Sequence, residues 1–300
     1  MTWKRVATAA VLIPVALFFV LGPTALLALA LAVVTLLALF EYFALGEAIG
    51  HRAYRFWTAT CALALIYVQW LATIPVYTFD SFSTWEMRYR QIWHFMGRAP
   101  RIEDVFFLFV LGVAVLTLWT RRPLVESLPA AGISASGLIL VAFPLSYAIR
   151  LQGIEFHGPL LLLFALVITW VGDTAAYFVG RWIGRHPLAP HLSPKKTWEG
   201  AVASFVGALF VGIIFARVGN AVYEHYLIVP LPNFLGMAAV GNAAGQVGDL
   251  LESAYKRSAG IKDSGSILPG HGGVLDRIDA LILAIPVVWY YWVLVYSPRT

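Results

Sequence analysis

The chain has 300 residues, of which Lys and Arg make 21 and Asp and Glu 16, so charged residues are 12% of it, against roughly 25% in soluble domains. Hydrophobic residues reach 60%, mean hydropathy is +0.78 and net charge is +5. These values exclude disorder, collagen, disulfide-rich secreted scaffolds and water-soluble enzyme folds, and leave an all-α polytopic integral membrane helical bundle.

Between charged positions the sequence predicts apolar spans near 6–21, 24–40, 57–78, 105–119, 132–149, 159–180, 199–217, 227–250 and 280–296, about nine transmembrane helices. Only Gly22 and Pro23 part the first two, and Val105 to Trp119 is short for a crossing of about 20 residues, so eight or ten spans stay open. Lys4 and Arg5 before the first run also fit a cleaved signal, but the immediate return of a second run favours a retained hairpin. Two regions follow. Residues 1–130 are expected as N-terminal membrane helices with an extracytoplasmic loop near 79–104, and residues 131–300 as a C-terminal membrane region that carries the charged segments taken up below. With the N-terminus inside, fourteen of the Lys and Arg residues fall in cytoplasmic loops and seven outside, which puts 181–198 and 251–279 on one cytoplasmic face. The single cysteine, Cys61, forbids an intrachain disulfide, and no nucleic-acid motif accompanies the basic balance.

Ionisable residues against apolar spans are expensive, so each needs a partner or a task. Asp173 lies near the cytoplasmic end of the sixth span among Gly172, Thr174, Ala175 and Ala176, where it either meets a ligand or pairs with Arg181 or Lys195 to fix packing. Ser193-Pro-Lys195-Lys196-Thr197-Trp-Glu199-Gly200 opens the seventh span. Its two lysines beside unpaired helix-start amides outline an anion site, or are snorkelling positive-inside residues, with Glu199 placed to neutralise one of them. Gly241, Gly245 and Gly248 form a small-residue stripe that reads equally as helix packing. Asp249, Glu252 and Ser253 share a helical face, an oxygen cluster suited to a hard cation. The loop beyond holds Lys256, Arg257, Lys262, Asp263, His271 and four glycines, 265, 270, 272 and 273, whose backbone can bend around a phosphate. Asp276 and Asp279 then share a face at the start of the last helix. Metal-binding carboxylates, phosphate-binding cations and a glycine-rich loop suit phosphoryl or nucleotidyl transfer. No Walker A, G-x-S-x-G or zinc spacing is present.

Ser253-x-x-Lys256-Arg257-x4-Lys262-Asp263-x-Gly265-x2-Leu268-Pro269-x-His271-Gly272-Gly273-Val274-x-Asp276-Arg277-Ile278-Asp279 resembles the signature of the phosphatidate cytidylyltransferases, the CDP-diacylglycerol synthases. The match spans 27 residues with about sixteen specified positions; Tyr255 stands where the pattern usually has an aliphatic residue or Phe. The Ser193–Gly200 segment is similar to one shared with CTP-dependent lipid kinases, and Asp173-Thr174 with Tyr177 and Gly180 also fits. The resemblance covers roughly residues 130–296, and the earlier spans resemble the family only in hydropathy.

The resemblance implies CTP plus phosphatidate giving CDP-diacylglycerol plus pyrophosphate, at the cytoplasmic face of a bacterial inner membrane, with Mg2+ and a second cation as a further expectation. It implies Asp249 and Asp276 as metal ligands. Candidate catalytic residues are Asp173, Lys256, Arg257, Lys262, Asp263, His271 and Asp279, and candidate substrate-binding residues are Ser193, Lys195, Lys196, Thr197, Glu199, Ser253, Gly272, Gly273 and Arg277. Expected partners are CTP, phosphatidate, membrane lipid and a second copy of the chain as a homodimer, with no nucleic acid. A CTP-dependent polyprenol kinase, a transporter and a non-catalytic scaffold are the competing readings.

Overall fold

The computed structural model describes residues 2–74, 100–119, 123–222, 229–267 and 272–296, and nine helices carry most of them. They are α1 (Thr2–Leu21), α2 (Thr24–Ala48), α3 (Arg55–Leu71), α4 (Ile102–Trp119), α5 (Leu124–Gln152), α6 (Gly158–Ile183), α7 (Trp198–Val222), α8 (Leu231–Ser258) and α9 (Leu275–Tyr291, continued by a wider turn at Trp292–Tyr296). Each falls on one of the nine expected spans. Among the described residues, α2, α4, α5, α6, α7 and α9 with its extension are long and apolar enough to cross a membrane. Most of the expected loop near 79–104 lies outside the described residues.

Helix boundaries follow local chemistry, with two departures from expectation. α3 ends at Leu71 and turns through Ala72 and Thr73, because Pro75 biases the residue before it away from helix. α2 runs on to Ala48, past the Glu41 that marks its end in the sequence, because Tyr42, Phe43 and Leu45 resume the buried face. Within α5 the backbone widens into a π turn at Leu138–Ala142. Pro144, two residues past it, has no N–H to give the Leu140 carbonyl, a recognised cause of such irregularity.

Two hydrophobic cores result. One joins the end of α5 to α6, α7, α8 and α9 through Phe164, Ile168, Phe234, Met237 and Val288. The other joins α2, α3, α4, the middle of α5 and the start of α9 through Leu39, Phe43, Leu65, Phe109 and Leu138. Outward faces are apolar as well: Phe107, Leu118 and Val206 are exposed, as lipid-facing side chains are. At the end of the bundle away from the motifs, Arg150 bonds the Gln69 side chain and lies 5.7 and 5.3 Å from the ring centres of Tyr147 and Trp289. That charge is therefore held within the protein.

The segment between α6 and α7, expected as a loop, is a short antiparallel hairpin. β1 (Pro187–Ala189) pairs with β2 (Ser193–Thr197), Pro187 opposite Thr197 and Ala189 opposite Ser193. Strand pairing satisfies backbone groups where the chain leaves one helix and enters the next.

Candidate active site

The C-terminal ends of α6 and α8 and the N-terminal ends of α7 and α9 meet at one end of the bundle. The two charged segments, expected on one face, are in contact there: Lys196 Nζ of β2 lies 2.5 Å from Asp249 Oδ2 of α8, and the Arg257 Nε–H donates to the Leu192 carbonyl at 3.2 Å. Between them is a cavity of about 310 Å³ lined by Asp173, Tyr177, Lys195, Lys196, Gln246 and Asp249. A larger groove of about 850 Å³ lies along α6 and α7, walled by Val179, Val202, Val206 and Phe210. It is almost wholly apolar; Lys195, Lys196, Asp173 and Asp249 belong to the smaller cavity, while Glu252 and Asp279 line a third of about 30 Å³ between α2, α5, α8 and α9.

The small-residue stripe is the packing surface of α8 on α9. A Cβ on Gly248 would lie 2.5 Å from the Asp279 carbonyl oxygen, and one on Gly245 would touch Ala280. This approach brings Asp279 of α9 against Asp249 and Glu252 of α8, with one oxygen from each within 4.8 Å of the others. Three carboxylates so close repel unless cations neutralise them. Two ammonium groups are beside them, Lys196 on Asp249 and Lys256 at 2.5 Å from Glu252 Oε2. An all-oxygen donor set of this kind fits a hard divalent cation.

Asp276, expected beside Asp249, is turned another way. Its Oδ1 accepts from Lys256 Nζ at 2.6 Å, and its Oδ2 accepts from the Gly273 N–H at 2.8 Å and the Ser264 N–H at 2.9 Å and lies 3.0 Å from the Ser264 hydroxyl, whose one hydrogen it shares with Glu41. Thr197 Oγ1 caps α7 by accepting the Gly200 N–H at 3.2 Å. Glu199 pairs with His186, its Oε1 2.7 Å from Nδ1, on the side of the apolar groove and not with a lysine. Thr197 and Gly200 pack against Gly180 of α6, whereas Glu199 lies with His186 in the wall of the groove. Ser193 is half-buried in β2 and Ser253 half-buried on α8, while Lys262, Asp263 and Arg277 are exposed around the same end of the bundle. Gly272 adopts φ +80, where only glycine is unstrained. His271 lies outside the described residues, as do Leu268, Pro269 and Gly270.

Sequence reasoning missed Glu41. Its carboxylate, 6% exposed, accepts the Val274 N–H at 2.9 Å, the Leu275 N–H at 2.8 Å and the Ser264 hydroxyl at 3.0 Å. α9 starts at Leu275 with no side-chain cap from its own segment, and Glu41 and Asp276 together occupy its opening amides. The glycines of the loop have a matching neighbour: a Cβ on Gly265 would lie 2.5 Å from Glu41 Oε1, and one on Gly273 would collide with Glu41 Oε2 and Ser264 Oγ. At these two positions the missing side chains make room for a carboxylate. The signal in the sequence was an acidic residue inside a run that stays apolar on both sides. A second missed feature is the ladder Ser204–Asn242–Gln246, in which Asn242 Nδ2 donates to Ser204 Oγ at 2.9 Å and Gln246 Nε2 to Asn242 Oδ1 at 2.8 Å, ending at the cavity wall.

A family model described as the cytidylyltransferase family matches residues 3–295. The phosphatidate cytidylyltransferase of Haemophilus influenzae is 40% identical over 139 residues, 46% of this chain and 47% of that protein. That of Bacillus subtilis is 36% identical over 180 residues, 59% of this chain and 65% of that protein. That of Staphylococcus aureus is 38% identical over 148 residues, 49% of this chain and 53% of that protein. The chain thus matches about half to just under two thirds of the length of these curated relatives.

Proposed function

The chain belongs to the cytidylyltransferase family, and from that membership we propose that it joins CTP to phosphatidate, forming CDP-diacylglycerol and releasing pyrophosphate. The observation that carries this reading is the meeting of the Lys195–Lys196 hairpin with the carboxylates Asp173 of α6 and Asp249 of α8 around one cavity at the end of a membrane bundle. A phosphate monoester is already a nucleophile at neutral pH, so such a site has to overcome repulsion between two polyanions more than it has to move a proton.

Lys195 and Lys196 receive the nucleotide phosphates, and Lys196 exchanges Asp249 for a phosphate oxygen as they arrive. Arg257, Lys262 and Arg277 add positive charge around the mouth. Asp249, Glu252 and Asp279 are the residues that would hold Mg2+, which when bound neutralises charge building on the transferred phosphoryl group. We assign Asp276 to holding Lys256, because both of its oxygens are already engaged. A phosphatidate oxygen attacks the α-phosphorus in line, the bond from that phosphorus to the bridging oxygen breaks, and pyrophosphate leaves. Lipid reaches the site sideways from the bilayer and CTP from water. The site, with the N-terminus on the same side, faces the cytoplasm of a bacterial inner membrane, in keeping with the fourteen-to-seven distribution of Lys and Arg.

The test is a detergent-solubilised assay with phosphatidate, Mg2+ and CTP labelled at the α- or the γ-phosphate. α-Label in lipid with γ-label in pyrophosphate is expected. γ-Label in lipid would make the protein a lipid kinase, and label in neither would remove the transferase reading.

A further inference from the structure

We propose that Glu41 is a positioning residue for this reaction, acting from the N-terminal half of the chain through Ser264 and Asp276 on Lys256. The proposal rests on the cytidylyltransferase reading for its catalytic consequence, and on geometry alone for its structural one.

The chain of contacts is continuous. Glu41 Oε2 accepts the Ser264 hydroxyl at 3.0 Å, and the same hydroxyl lies 3.0 Å from Asp276 Oδ2. Asp276 Oδ1 accepts from Lys256 at 2.6 Å, and Lys256 is 2.5 Å from Glu252, a member of the carboxylate cluster. Glu41 also takes the amides of Val274 and Leu275, so it fixes the rotation of the first turn of α9, from which Asp276 and Asp279 project. A buried carboxylate with three donors is costly to leave half-satisfied, so it has one well-defined position. Only glycine at 265 and 273 lets the loop lie this close to the carboxylate, since a Cβ at either position would collide with Glu41, and this ties the loop composition to that side chain. Helix capping by itself would need the two amides. The bond to Ser264, shared with Asp276, is what connects the cap to the reacting end of the molecule.

Glu41→Gln keeps the shape and replaces one acceptor oxygen by an NH2 group, which faces an N–H of α9 in either amide orientation. Hydrogen exchange in detergent should show the amides of Val274 and Leu275 opening at least tenfold faster, with α3 and α6 protected as in the wild type. In the labelled-CTP assay kcat should fall at least tenfold. Ser264→Ala, which leaves both backbone bonds of Glu41 in place, should lower kcat at least threefold, and the double variant should be no slower than Glu41→Gln alone, because both changes cut one path. Multiplying losses, unchanged kcat in either single variant, or a loss matched by general deprotection of α3 and α6 would each overturn the proposal; Ser264→Ala carries the test alone if Glu41→Gln does not fold. A wild-type protein that transfers no α-label would sink the cytidylyltransferase reading, while the exchange result would still decide whether Glu41 holds the loop.

Discussion

Asp276 and Asp279, three residues apart, face different partners, and the different tasks proposed for them are measurable. Asp249, Glu252 and Asp279 point at one another, whereas Asp276 points at Lys256 and the loop amides. Asp249→Asn or Asp279→Asn should therefore raise the half-saturating Mg2+ concentration by about tenfold or more, since ligand-shell changes weaken metal binding by that order. Asp276→Asn should lower kcat and leave the Mg2+ titration midpoint near that of the wild type. A shift in the Asp276 variant equal to that in the Asp249 variant would return Asp276 to the cation. The sequence showed that acidic residues cluster here. It did not show which of them meet, because i, i+3 residues on one helix are still about 60° apart around the axis and about 4.5 Å apart along it, and the partner helix selects between them.

At the level of elements, the approach of α8 to α9 is what assembles the carboxylates. Gly248→Ala puts a methyl group 2.5 Å from a backbone oxygen that cannot rotate away, and the helices must separate. The expected cost is about 1–3 kcal/mol, the usual range for overpacking, read as a lower thermal midpoint in detergent together with a weaker Mg2+ response. Gly132, on α5 with open space around its missing Cβ, provides the contrast. Gly132→Ala should leave activity unchanged and stabilise the protein by about 0.4–1 kcal/mol through the unfolded chain. An active, fully stable Gly248→Ala protein would show that the two helices can move apart without disturbing the cluster. Helix existence was legible in the nine apolar runs. The end of α2 was not, since a charge in a hydropathy profile looks like a boundary, and only three donors from Ser264, Val274 and Leu275 make a buried Glu41 tolerable.

The whole molecule brings four helix ends and a hairpin to one end of the bundle, so its orientation in the bilayer decides which compartment the site faces. Ser258, at the end of α8, and Glu155, between α5 and α6, are both exposed and lie at opposite ends of the bundle. The native Cys61 is buried, so single cysteines at these two positions report accessibility cleanly. A membrane-impermeant maleimide added to intact cells should label Glu155→Cys and should reach Ser258→Cys only after the membrane is opened. The reverse pattern would place the site outside and remove the proposed orientation.

What the sequence determined alone is whatever depends on local composition and spacing: a helical membrane bundle, the family resemblance of residues 253–279, and the shared face of segments 181–198 and 251–279. Hydropathy and the period of a helix are properties of neighbours along the chain, so they can be read without a fold. The tertiary structure decided the partners. It set Asp279 rather than Asp276 against Asp249, turned Glu199 to His186, and drew Glu41 across more than 220 residues to the start of α9. A buried charge is satisfied by whichever donors the packed helices present to it, and that set exists only once the helices have met.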